Sequence, residues 1–133
     1  MTATENLYYA LGEMLYALAA SDGKLQQKEK QNLHQILTKE FLPQHPPIDC
    51  AEIIFKIFEK DHTTVHDAVR SAKHQFELNS HYLSPQLKRH FIKIMQEVAN
   101  VHPPVTDEEQ KLVNDFQAFL TELKGDAVFY DKG

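Results

Sequence analysis

The sequence predicts an all-α fold, a single helical domain of about six helices, and three observations lead there. Apolar residues recur at helical spacing almost everywhere, and no segment alternates convincingly with period two. Four glycines and six prolines among 133 residues are few for a turn-rich all-β protein. Helix start signals precede several of the apolar stripes.

The first helix carries Leu7, Leu11, Met14, Leu15 and Leu18 on one stripe, with Thr2 and Glu5 as a capping box before it. It stops at the turn Ser21-Asp22-Gly23, where glycine permits a left-handed backbone. A second helix starts near Gln26, with Leu33, Ile36, Leu37 and Phe41 as its stripe, and Pro43 ends it. Pro46-Pro47 extends that break into a short stiff linker. Asp49 and Glu52 form a capping box for a third helix, which buries Ile53, Ile54, Ile57 and Phe58. A fourth begins around 61–64 and buries Val65, Ala68, Val69, Ala72 and Phe76. Ser84-Pro85 marks the fifth, with serine as N-cap and proline at the first helical position. It carries Leu87, Phe91, Ile94, Met95 and Val98. After the turn Val101-His102-Pro103-Pro104, Thr106 to Glu109 open the sixth, with Leu112, Val113, Phe116, Phe119, Leu120 and Leu123. The domain is expected to span 1–123. Residues 124–133 lack periodicity and read as a loose tail, although Val128, Phe129 and Tyr130 are suited to docking on a neighbour.

Composition bounds the function without giving it. The apolar share of 42% and charged share of 25% are those of a globular chain, which argues against disorder. A net charge of -5 argues against general nucleic-acid binding. A lone cysteine, Cys50, excludes an internal disulfide and Cys-rich zinc sites. The apolar run Leu7 to Ala20 is too short to span a bilayer and contains Glu13. With no cationic leader at the start of the chain, the expected setting is cytoplasmic, with a membrane-associated partner still open.

The two ends of the chain match at an offset of eighty positions without a gap. Leu7 pairs with Leu87, Leu11 with Phe91, Met14 with Ile94, Leu15 with Met95, and Leu18 with Val98. The turn recurs too, since Ala19, Leu25 and Glu29 return as Ala99, Val105 and Glu109. This pattern predicts two helix–turn–helix hairpins related by a pseudo-two-fold, packed face to face with the middle helices between them.

The run from Leu15 through Ala19-Ala20-Ser21-Asp22-Gly23-Lys24-Leu25 to Glu29 resembles the TerB-like (tellurite resistance TerB) family. The second copy is degenerate: His102 stands in place of the aspartate and Pro103 in place of the glycine, while Glu109 matches the glutamate. The resemblance covers both hairpins, about half of the chain, and leaves 43–83 without a matched motif. It implies an all-α pseudo-symmetric module linked to tellurite, metal or oxidative stress, working beside membrane and enzyme partners. It also implies a divalent metal ion held by Asp22 and Glu29, with His102 and Glu109 as the second-copy ligands. A histidine ligand shifts preference from calcium or magnesium toward zinc or nickel.

The same residues have a purely structural reading. Glu109 lies three residues after Thr106, where a capping glutamate belongs, and three acids there suit the positive end of the helix dipole. Glu29 stands in the same relation to Gln26, a poor N-cap, and Asp22-Gly23 is an ordinary turn pair. Lys24, Lys28 and Lys30 beside the turn attract anions, which counts against a strong cation site.

Other chemistry is sparse. His62 and His66 are four apart, but Thr63 stands where a zinc peptidase has glutamate, and a helix starting at Thr64 leaves His62 outside it. Cys50 reads as a structural cysteine. No nucleophile elbow and no phosphate-cradling glycine loop occur. The expected function is a non-catalytic module acting by protein–protein contact, tuned by a divalent ion. Tyr8, Tyr9 and Tyr16 are its candidate aromatic contact patch, with core packing as their alternative. A His/carboxylate metal hydrolase or ion carrier, and a metal-free scaffold, are the competing expectations.

Overall fold

The structure is a computed structural model describing residues 2–21, 35, 48–100 and 105–130. Its described residues form five α-helices and two short 3-10 turns, with no strand among them. The helices are α1 (Ala3–Ala20), α2 (Ile48–Lys60), α3 (Val65–Leu78), α4 (Pro85–Ala99) and α5 (Asp107–Glu122). The 3-10 turns are Ser80–Tyr82 and Ala127–Phe129. The helix expected from Gln26, and the turn from Val101 to Pro104, lie outside the described residues.

Local start signals account for most of the helix beginnings. Thr2 accepts from the Glu5 N–H at 3.1 Å, and the Glu5 carboxylate accepts from the Thr2 N–H at 3.0 Å. These bonds hold the Glu5 carboxyl below its ordinary range. Thr64, Ser84 and Thr106 cap α3, α4 and α5, each accepting a backbone N–H three residues on at 3.1 Å. Asp49 differs from expectation: α2 begins at Ile48, so Asp49 lies inside the first turn and is not the N-cap.

Helix α1 runs through the middle and touches each of the other four helices. Its burial goes all the way round: Leu7, Tyr8 and the whole run from Ala10 to Leu18 are buried. A helix apolar on every side has no surface to offer water, so its neighbours enclose it. Tyr8 and Tyr16 are therefore core residues and not an exposed contact patch; Tyr9 is half-buried. Tyr8 packs edge-on to Phe91, with ring centroids 5.2 Å apart, and Tyr16 packs edge-on to both Phe55 and Phe58 at 5.7 Å.

Two contacts set the directions. Gly12 meets Ala51 and Tyr16 meets Phe55, so α1 and α2 run parallel. Glu13 meets Ser71 on α3, while Tyr8 and Phe76 share Phe91, so α3 runs antiparallel to α1. A Cβ on Gly12 would lie 2.8 Å from the Ala51 Cα and closer still to the Ala51 carbonyl and the Ile54 side chain. Glycine there lets the two backbones touch.

That approach rotates α2 away from the face its stripe suggests. Ala51 and Phe55 enter the core, whereas Ile53 and Ile57 stay 47% and 45% exposed. The other stripes pack as expected, with Ala68, Ala72 and Phe76, then Phe91, Ile94 and Met95, then Val113, Phe116 and Leu120 all buried. The matched repeat positions Leu11/Phe91, Met14/Ile94 and Leu15/Met95 are all fully buried. Of the two expected hairpins, only the helices of the second, α4 and α5, are both described, and they pack together.

Part of the stretch expected as a loose tail has defined packing. Residues 124–130 fold back on the turn at 80–83, with the Asp126 N–H donating to the His81 carbonyl at 3.0 Å.

Candidate functional site

Of the four residues expected to hold a metal ion, Asp22, Glu29 and His102 lie outside the described residues. Glu109 is the described member. It sits at the third position of α5, half-buried, and its N–H donates to the Thr106 hydroxyl at 3.1 Å. Asp107, Glu108 and Glu109 together fill the first turn, at the positive end of the helix dipole. Thr106 is the cap here, and Glu109 takes part through its backbone N–H.

The histidine pair separates. His62 has φ 52 and follows α2 in the left-handed region. The Thr63 N–H donates to the Phe58 carbonyl at 3.0 Å and the His62 N–H to the Glu59 carbonyl at 3.2 Å. Those two bonds make a Schellman ending, with His62 at the position usually held by glycine. His66 lies across the Thr64 cap, exposed on the first turn of α3. Among the described residues no three histidine, cysteine or acidic side chains are placed to hold a metal ion. Cys50 is buried, and burial pushes its thiol up, away from the reactive thiolate.

The described residue with the strangest surroundings is Glu13. It lies in the middle of α1, 5% exposed, and its Oε2 has no hydrogen-bond partner. Burial pushes its carboxyl up to about 7, and a hydrogen bond with Ser71 pulls the other way. On α3, Ser71 also lines a cleft of about 530 Å³, together with Phe58, Thr63, Asp67, Arg70 and His74. The Tyr16 hydroxyl donates to the Thr63 carbonyl at 2.7 Å and pins the cleft's near end to α1. At its rim Arg70 and Asp67 pair at 3.3 Å in the open, a contact worth little in water.

The profile of the family described as "Tellurite resistance protein TerB" matches residues 9–125. The chain belongs to this family. The match is wider than the two turns that carry the sequence resemblance, since it also takes in α2 and α3. It spans Asp22, Glu29, His102 and Glu109, and ends just before Asp126. No curated protein and no solved structure matches the chain. No helix among the described residues of this TerB chain is long and apolar enough to cross a membrane.

Glu13 and the cleft were not legible as a site. The available signal was a single acid inside the apolar run from Leu7 to Ala20. On a one-sided amphipathic helix such a residue faces water, so the burial of α1 on all sides from Ala10 to Leu18 is what gives Glu13 its meaning.

Proposed function

We propose that this chain is a non-catalytic TerB module that acts by protein–protein contact and is tuned by a divalent ion at the Asp22-Gly23…Glu29 turn, in tellurite, metal or oxidative stress. The observation that carries this reading is the family match across 9–125, which includes that turn. Two carboxylates suit a hard divalent ion, and His102 would add the nitrogen donor that zinc or nickel prefers. The rival reading is a metal-free scaffold in which every acid is a cap.

The test is a titration of metal-stripped protein with calcium, magnesium, manganese, zinc and nickel, read as melting temperature. Asp22→Asn with Glu29→Gln is run in parallel. A ligand at a hundredfold over its dissociation constant adds about 2.7 kcal/mol, a shift of several degrees. A shift in the wild type that vanishes in the double variant supports the ion-tuned module. No shift with any ion, with the double variant destabilised by about 1 kcal/mol, leaves the scaffold.

A further inference from the structure

The stretch 124–130 is attached differently from everything else described. It meets the body of the fold along the turn at 81–83 and the start of α4. The Asp126 N–H donates to the His81 carbonyl at 3.0 Å, and the Lys88 ammonium donates to the Leu123 carbonyl just before the stretch. The Phe129 ring stands edge-on to His81 and Tyr82, with centroids 5.6 and 5.4 Å away. Gly125 passes the Leu83 carbonyl so closely that a Cβ would come within 2.5 Å of it. The rest of its order is internal. The Asp126 carboxylate accepts from the Val128 N–H at 3.0 Å, and the Phe129 N–H donates to the Asp126 carbonyl at 2.8 Å. The segment thus carries its own turn.

It also buries little. None of residues 124–130 is buried, and Val128 is 64% exposed. Next to it, Leu83 is fully buried and ends a turn closed by its own N–H to the Ser80 carbonyl at 3.0 Å. Release of 124–130 would cost few contacts and would uncover the His81 and Tyr82 rings and the Leu83 carbonyl, the seat at 81–83. Segments with few buried contacts open locally, well below the free energy of global unfolding.

We propose that residues 124–130 are a displaceable latch, and that the seat at 81–83 docks a partner protein's peptide of the same chemistry: an acidic residue followed three positions on by an aromatic pair. The latch itself defines that occupant, because Asp126 makes the turn and Phe129 and Tyr130 follow it. The proposal does not depend on the ion at the Asp22 turn, so either can fail alone.

The experiment uses the full chain carrying Phe129→Ala and a synthetic peptide of the sequence of residues 123–130. The peptide is expected to bind the variant and to shift the amide resonances of His81, Tyr82 and Leu83. A peptide with alanine for the phenylalanine should not bind. The wild type should bind at least about tenfold more weakly, because its own latch holds the seat. In the wild type without peptide, the Asp126 and Phe129 amides should exchange at least about a hundredfold faster than those of α1. A helical variant that ignores the peptide overturns the proposal. Protection of the Asp126 and Phe129 amides equal to that of α1 also overturns it, whether or not the variant folds. A dimer that forms by exchanging this segment, seen by light scattering, overturns the partner in favour of a second copy.

Discussion

Replacing Glu13 by glutamine removes a charge from the centre of the bundle while keeping the side chain's shape. In the folded chain the carboxyl titrates near 7, against an ordinary value of 4.5. Below pH 4.5 both folded and unfolded chains hold the proton and the group costs nothing. Between 4.5 and 7 the unfolded chain ionises first, so stability falls as pH rises. Above 7 both forms are ionised and the full deficit is present. A shift of this size corresponds to about 3 kcal/mol, or roughly 10 °C in melting temperature for a chain of this length. The glutamine side chain cannot ionise and escapes the loss.

Urea denaturation of wild type and Glu13→Gln at pH 5, 6, 7 and 8 isolates the effect. Every other charged group is common to both proteins, so its contribution cancels in the difference between the two curves. That difference is expected to move in favour of the variant by about 2–3 kcal/mol across the range. Ser71→Ala should push the window upward, because the hydrogen bond that holds the carboxyl down is lost. A difference curve flat from pH 5 to 8 would refute the burial argument and place the Glu13 carboxylate in contact with water.

Gly12→Ala should destabilise by at least about 2 kcal/mol in the same assay, since its Cβ would meet backbone that cannot step aside. His62→Gly should stabilise by about 1 kcal/mol by relieving a left-handed histidine, whereas a ligand role would make the change costly in added zinc. Thr106→Ala should cost about 1 kcal/mol in thermal unfolding without altering any response to metal. Ile53→Lys with Ile57→Lys should change stability by less than about 0.5 kcal/mol each, a test of whether that face of α2 stays open in solution.

Helices were legible where the signal is local. Thr2 with Glu5, Thr64, Ser84 with Pro85, and Thr106 each mark a start that hydrogen bonds within three residues explain. What was not legible depends on partners far along the chain. The stripe Ile53, Ile54, Ile57 is a good apolar face, yet Phe55 faces inward because Gly12 on another helix makes room for Ala51. Likewise Tyr8 and Tyr16 lie off the leucine stripe of α1, and the stripe alone cannot say that four helices surround it. The repeat was legible in its buried positions. Its two turns, which carry most of the expected metal ligands, lie outside the described residues.

The arrangement separates what holds this TerB domain together from what it offers to others. From Ala10 to Leu18 helix α1 has no outward face, so a change within that run is felt by its neighbours and answers as stability. On the contact reading proposed above, the surface offered to a partner then comes from the outer helices and the latch. Among the described residues the large apolar side chains that stay exposed are Ile53 and Ile57 on α2, Leu78 at the end of α3, and Val128 in the latch. A charge at Ile57 should therefore leave folding intact, whereas a charge at Leu11 should unfold the chain.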